Sequence, residues 1–173
     1  MRILSPSLAA LILMGAIASP LSASASGDPL QQFQPVGKTK LKVFWFPVYE
    51  AHLYSPDGEF RSLNHPLALR LRYLRDIDSK ELVSSTRDEW QRLGLYHPDA
   101  SETWLKQLAS LWPDVEKGDE LMFRYDGDSS HFFFNGEPLG SLSDSGFGPQ
   151  FAAIWLHPNT RFPSLRRELI GEN

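Results

Sequence analysis

The sequence predicts an α+β fold, an antiparallel sheet with helices gathered on one face. Three observations carry that expectation. Alternating apolar and polar residues recur in short runs separated by turn signals, as in strands with one covered face. Four other stretches carry apolar residues at helical spacing. Finally, the order is strands, two helices, strands, two helices, which segregates the helices rather than interleaving them in βαβ units.

Taken in order, SGDPLQQFQPVGK (residues 26–38) is a polar lead-in punctuated by Pro and Gly. From Thr39 the pattern alternates, with Leu41, Val43 and Trp45 on one side and Lys42, Phe44 and Phe46 on the other. Both sides are apolar at 43–46, the pattern expected of a strand covered on both faces. Pro47 cannot donate to a sheet ladder, so it predicts a kink between two strand segments. Beyond it Tyr49, Ala51 and Leu53 alternate with Glu50, His52 and Tyr54 until the turn SPDG at 55–58. Residues 65–77 form the next strand, with Leu67, Leu69, Leu71 and Tyr73 opposite Arg70, Arg72 and Leu74.

DSKELVSSTRDEWQRLG then predicts a helix capped at Asp78 or Ser79 and closed by Gly94, with Leu82, Val83, Thr86, Trp90 and Leu93 inward. A second helix runs from about Ser101 to Trp112 and is ended by Pro113. Lys117-Gly118-Asp119, DGDSS and Asn135-Gly136 punctuate the meander ELMFRY, HFFF and EPLGSL, and Asn-Gly is a strong two-residue hairpin signal. A third helix starts near Asp144 with Phe147, Phe151, Ile154 and Trp155 on one side, and a last short one follows Pro163.

The chain opens MRILSPSLAALILMGAIASPLSASAS. One Arg, an apolar run from Leu8 to Ala18 and small residues ending Ala23-Ser24-Ala25 are the order of a secretory signal. The run is shorter than the roughly 20 residues needed to span a bilayer. Cleavage after Ala25 is therefore expected, leaving residues 26–173 as one domain with no transmembrane segment. It removes Arg2 and no acid, so the formal charge moves from −4 to −5. That acidity argues against nucleic acid and strongly anionic membranes as partners. An exported chain of 173 residues with no Cys has neither disulfides nor a thiolate site, and the expected compartment is a bacterial periplasm.

The five His residues lack metal-ligand spacing, no G-x-S-x-G is present, and Gly146-Phe147-Gly148 lacks the third glycine and preceding strand of a dinucleotide site. No metal or cofactor is expected. Arg70 and Arg72 share one strand face and could clamp a carboxylate through their planar forks; an ordinary solvated face paired to acids such as Asp76 or Glu50 is the alternative. LKVFWFPVYEAHLYSP (41–56) holds five aromatics in sixteen residues. Part of that load is core, and the surplus points to a pocket for something apolar.

The runs VGKTKLKVFWFPVYEAHLYSPDG, LALRLRYLRDIDSKELVSSTRDEW and FFFNGEPLGSLSDSGFGPQFAAIWLHPNTRF resemble the bacterial branch of the chalcone isomerase-like family, over about Val36 to Gly171. The resemblance implies an open-faced β-sandwich with a ligand cleft beside its helices. Plant chalcone isomerases close a flavanone ring using an Arg, a Thr and a Tyr, and fatty-acid-binding relatives keep an Arg and a Tyr for a carboxylate. Where the family's Arg would lie this chain has Lys38, Lys40 and Lys42; the Thr place falls near Val48 and the Tyr place near Asp78. Loss of three chemical positions weighs against ring closure. The expectation is an exported, non-catalytic binding protein for a small amphipathic molecule, with Arg70 or Arg72 and Tyr49 as anchors and Trp45, Phe44 and Tyr73 as walls. An enone isomerase or lyase and an envelope protein-interaction module are the alternatives.

Overall fold

The computed structural model describes residues 28–172. The expected signal segment, 1–25, lies outside the described residues. Six strands form one antiparallel sheet in sequence order: β1 (Gln34–Val43), β2 (Phe46–Ser55), β3 (Leu67–Tyr73), β4 (Glu120–Tyr125), β5 (Ser130–Phe134) and β6 (Glu137–Leu142). Helices α1 (Ser79–Arg92) and α2 (Pro98–Leu111) fall between β3 and β4, while α3 (Phe147–Leu156) and α4 (Pro163–Leu169) follow the sheet. This is the α+β, open-faced arrangement predicted from the order of elements.

Strand alternation decides which face the helices cover. Leu41, Ala51, Leu53, Leu67, Leu69, Leu71 and Phe123 are buried on the helical side. Register puts Arg70 opposite His52 and Arg72 opposite Glu50 on the other side. Part of that second face is crossed by the lead-in, where Arg124 Nη1 donates to the Pro29 carbonyl at 3.2 Å. The core is largely aromatic: Phe147 packs edge-on against Trp90, Trp104, Phe123 and Phe132. Two of the indoles find partners there, Trp90 at the Gln150 carbonyl (3.1 Å) and Trp104 at the Asp144 carboxylate (3.1 Å).

Two junctions differ from expectation. The chain does not run on through 43–46 to a kink at Pro47; it reverses at Phe44-Trp45, pairing Val43 with Phe46. Pro47 sits inside β2 opposite Lys42, where the register shifts, so its missing N–H falls at an irregularity of the ladder. The second helix starts at Pro98, three residues before the expected Ser101, because proline suits a first helical position. The predicted hairpin at Asn135-Gly136 is present, with φ of 51° and 86°.

At the sheet's first edge α4 lies directly on β1. Gly37 permits that approach: a Cβ there would fall 2.2 Å from the Glu168 carbonyl oxygen. Thr39 Oγ1 donates to the Glu168 carboxylate at the same junction.

Candidate functional site

A cavity of about 340 Å³ opens between the sheet and three of the helices. Its floor comes from the ends of β1 to β3: Leu41, Tyr49, Leu71 and Tyr73 alternate toward the helices, and Val48 joins them from the register shift between β1 and β2. One wall is α1 through Leu82, Thr86 and Glu89; another is α3 through Phe151, Ile154 and Trp155. The segment after α3 and α4 itself close it with Thr160, Phe162, Leu165, Arg166 and Leu169. The lining is mainly apolar, with a few polar groups of identifiable state, the usual make-up of a small-molecule site.

Tyr49 accepts a hydrogen bond from Trp155 Nε1 at 2.9 Å, leaving its own hydroxyl proton without a protein acceptor among the described residues. Tyr73 lies across the strand pair, its ring edge-on to Tyr49 at 6.2 Å. Burial pushes the Tyr49 phenol up to about 12, with the Trp155 bond opposing and the Glu89 charge assisting. Burial also pushes the Tyr73 phenol up, helped by Tyr49. Both are therefore neutral donors at physiological pH rather than bases.

The charged groups of the wall are sorted by their partners. Arg75 pairs with Glu81 at 2.8 Å, and Glu89 pairs with both Arg92 and Arg161. Arg166 is different. Its Nε donates to the Leu156 carbonyl at 2.7 Å, which fixes the guanidinium, and no carboxylate lies within 4 Å of it among the described residues. Its terminal nitrogens remain to meet an anion. Thr160 and Thr86 hydroxyls bond the Ile154 and Leu82 carbonyls, so they offer only acceptor capacity.

Of the six residues singled out from the sequence, Tyr49 and Tyr73 line this cavity. Arg70 and Arg72 do not. Both project from the opposite sheet face: Arg70 stands 3.6 Å from Glu120 and over the Tyr54 ring at 5.2 Å, and Arg72 is exposed. Strand parity makes this unavoidable once Leu71 and Tyr73 point at the helices. Phe44 and Trp45 do not wall the cavity either; they form the two-residue turn beyond its end. Three arginines line the cavity, Arg75, Arg161 and Arg166; Arg166, the one without a carboxylate within 4 Å among the described residues, shares a helical face with Leu169 and Ile170 at i+3 and i+4. That spacing was readable, but a seven-residue helix gives little periodicity to read.

The described fold and cavity are those of an open-faced sheet with a ligand-sized cleft under its helices. A family model described as chalcone isomerase-like matches residues 24–171. The chain belongs to the chalcone isomerase-like family. An uncharacterized protein of Haemophilus influenzae is 30% identical over 147 residues, covering 85% of this chain and 72% of that one. Among solved structures, a fatty-acid binding protein of Arabidopsis thaliana superposes with a TM-score of 0.66 at 10% identity, over 81% of this chain and 87% of that one. At that identity the likeness is one of fold.

Proposed function

We propose that the protein is an exported, non-catalytic carrier of one small amphipathic acid, a fatty acid or an aromatic acid, held in the cavity beneath α1, α3 and α4. The observation that carries this reading is the cavity's composition: apolar walls, two neutral phenols and one arginine without a carboxylate partner. A carboxylate would accept from Tyr49, Tyr73 and Arg166 while its apolar part lies against Leu41, Val48 and Leu71. Placing apolar surface there contributes about 25 cal/mol per Å² removed from water. The volume of about 340 Å³ lies near the lower end of ligand pockets, roughly 300–1,000 Å³, and suits a small ligand. The resemblance in fold to a fatty-acid binding protein supports the same class of ligand. Export is supported by the leader pattern of residues 1–25.

Binding is favoured over ring closure by what stands at the family's chemical positions. Lys38, Lys40 and Lys42 alternate away from the cavity, Lys40 bonded to Glu50 at 2.8 Å, and Val48 presents an alkyl group to it. The phenols hold their protons, so neither serves as a general base at neutral pH.

Native mass spectrometry of protein purified from the periplasm, followed by solvent extraction, tests the reading. A stoichiometric acid is the expected result. An empty protein that also ignores fluorescent fatty acids overturns it.

A further inference from the structure

The β1–β2 turn is unlike the other turns of this sheet. Phe44 and Trp45 are 89% and 90% exposed and Phe46 is 71% exposed, so three large rings stand together in solvent. Lys117-Gly118-Asp119 and Asn135-Gly136, by contrast, turn with Gly at positive φ. In the β1–β2 turn only the first of the two central residues, Phe44, has positive φ, at 56°. Glycine is the residue favoured in that place, and a bulky side chain is strained there. Stability alone would not select Phe44 at this position.

The turn also lies at the cavity's end of the molecule. A surface depression beneath it, between Phe46, Pro47 and Leu74, shares Val43, Val48 and Arg75 with the cavity wall. Lys42, next to Val43, is exposed and has no carboxylate within 4 Å among the described residues. Three protruding rings above a free cation form a finger, too small for the roughly 800 Å² per partner of a stable protein interface. They fit the boundary layer of a bilayer, where rings sit among acyl carbons and ammonium groups reach phosphates.

We propose that the Phe44-Trp45-Phe46 hairpin tip docks the protein on a phospholipid bilayer, rings in the headgroup–acyl boundary and Lys42 at the phosphates, with the cavity turned toward the membrane. Insertion carries the binding, because a net charge of −4 for the whole chain gives no long-range attraction to anionic lipid. That the cavity fills from the bilayer, or empties into it, rests on the carrier reading. The docking itself rests on the tip.

The test is flotation of the purified exported protein with vesicles of phosphatidylethanolamine and a minority of phosphatidylglycerol, alongside tryptophan emission. Trp90, Trp104 and Trp112 are buried and Trp155 is half-buried in the cavity wall, so most of a blue shift on adding vesicles is expected to come from the exposed Trp45. Trp45→Phe should keep flotation and lose most of that shift. Phe44→Gly/Trp45→Ser should weaken partitioning at least tenfold, with a melting temperature no lower than the parent's because glycine relieves the turn. The same double variant, titrated with a fluorescent fatty acid in vesicle-free buffer, should bind as the parent does; this separates failure of docking from failure of the carrier reading. A parent protein that stays with the aqueous fraction overturns the proposal, and so does flotation indifferent to the double variant. Concentration-dependent dimerisation abolished by those substitutions, without flotation, assigns the tip to a second copy instead and equally overturns it.

Discussion

A phenol buried against an indole keeps its proton far above neutrality, and this sets the chemistry of the cavity. The unfolded chain releases the Tyr49 proton near 10.0, the folded chain only near 12. Between these values the unfolded state binds fewer protons, so folding stability is full below pH 10 and falls as pH rises toward 12, by about 3 kcal/mol from this group. Absorbance titration in the phenolate band should place its ionisation there, and Tyr49→Phe should remove that step. The same substitution leaves Trp155 Nε1 without its acceptor and takes away a donor to the ligand. Affinity for a carboxylate should fall about tenfold. Arg166→Leu should weaken carboxylate binding by about tenfold or more while sparing a neutral alcohol of equal length, since a charge-assisted bond is worth about 1.5–3 kcal/mol. Arg72→Ala, on the far face, should leave both within about twofold. Isothermal titration with the two ligands distinguishes these outcomes. Tyr49 and Tyr73 were legible as cavity residues because they alternate in phase with Leu71 and Ala51. That Arg70 and Arg72 would fall on the face away from the cavity was not legible, because a strand pattern tells which residues share a face, not which face the helices cover.

At the scale of elements, close approach of backbone decides what may be substituted. Gly148 lies inside α3, where exchange of Gly for Ala ordinarily stabilises by about 0.5–1 kcal/mol. Here a Cβ would fall 2.3 Å from the Tyr125 ring, whose hydroxyl is tied to the Gly127 carbonyl at 2.8 Å. Gly148→Ala should therefore destabilise, by about 1–3 kcal/mol. Gly37→Ala should do the same and in addition free α4 from β1, visible as faster amide exchange in 163–169 and weaker ligand binding. Thermal melts of the pair check both. Elements with a strong local signature were readable: Gly94 ends α1 with φ of 70°, and Asn135-Gly136 makes its turn. The α1 start at Ser79 follows the expected Asp78 cap, yet Asp78 makes no side-chain cap bond; Asp114, 35 residues on, accepts from the Ser79 N–H at 2.7 Å. The Phe44-Trp45 reversal had no Gly, Asn or Asp to announce it. An apolar run reads alike whether it is covered on both faces or stands in solvent.

For the molecule as a whole, a ligand that binds only the folded chain adds RT ln(1 + [L]/Kd), about 2.7 kcal/mol at a hundredfold excess over Kd. A chain of this size should then melt about 5–10 °C higher with its acid than after exhaustive extraction. Equal melting temperatures would mean that the cavity is not a ligand site. The overall architecture was legible because it depends on order and composition: six strands that pair with their sequence neighbours need no long-range rule to be placed. The cavity's α4 wall was not, since it depends on how α4 returns to the sheet edge, and nothing local in PSLRREL states that destination.

That return has a chronological consequence. Thr39 on the first strand and Glu168 on the last helix meet across 129 positions of chain, and the cavity lies behind this seam. During synthesis a chain emerging from its N-terminus assembles the meander early, strand upon neighbouring strand. The cavity would still lack Leu165, Arg166 and Leu169 until the final stretch had arrived. A ligand met before then would have no wall to hold it, so on the carrier reading loading follows completion of the chain.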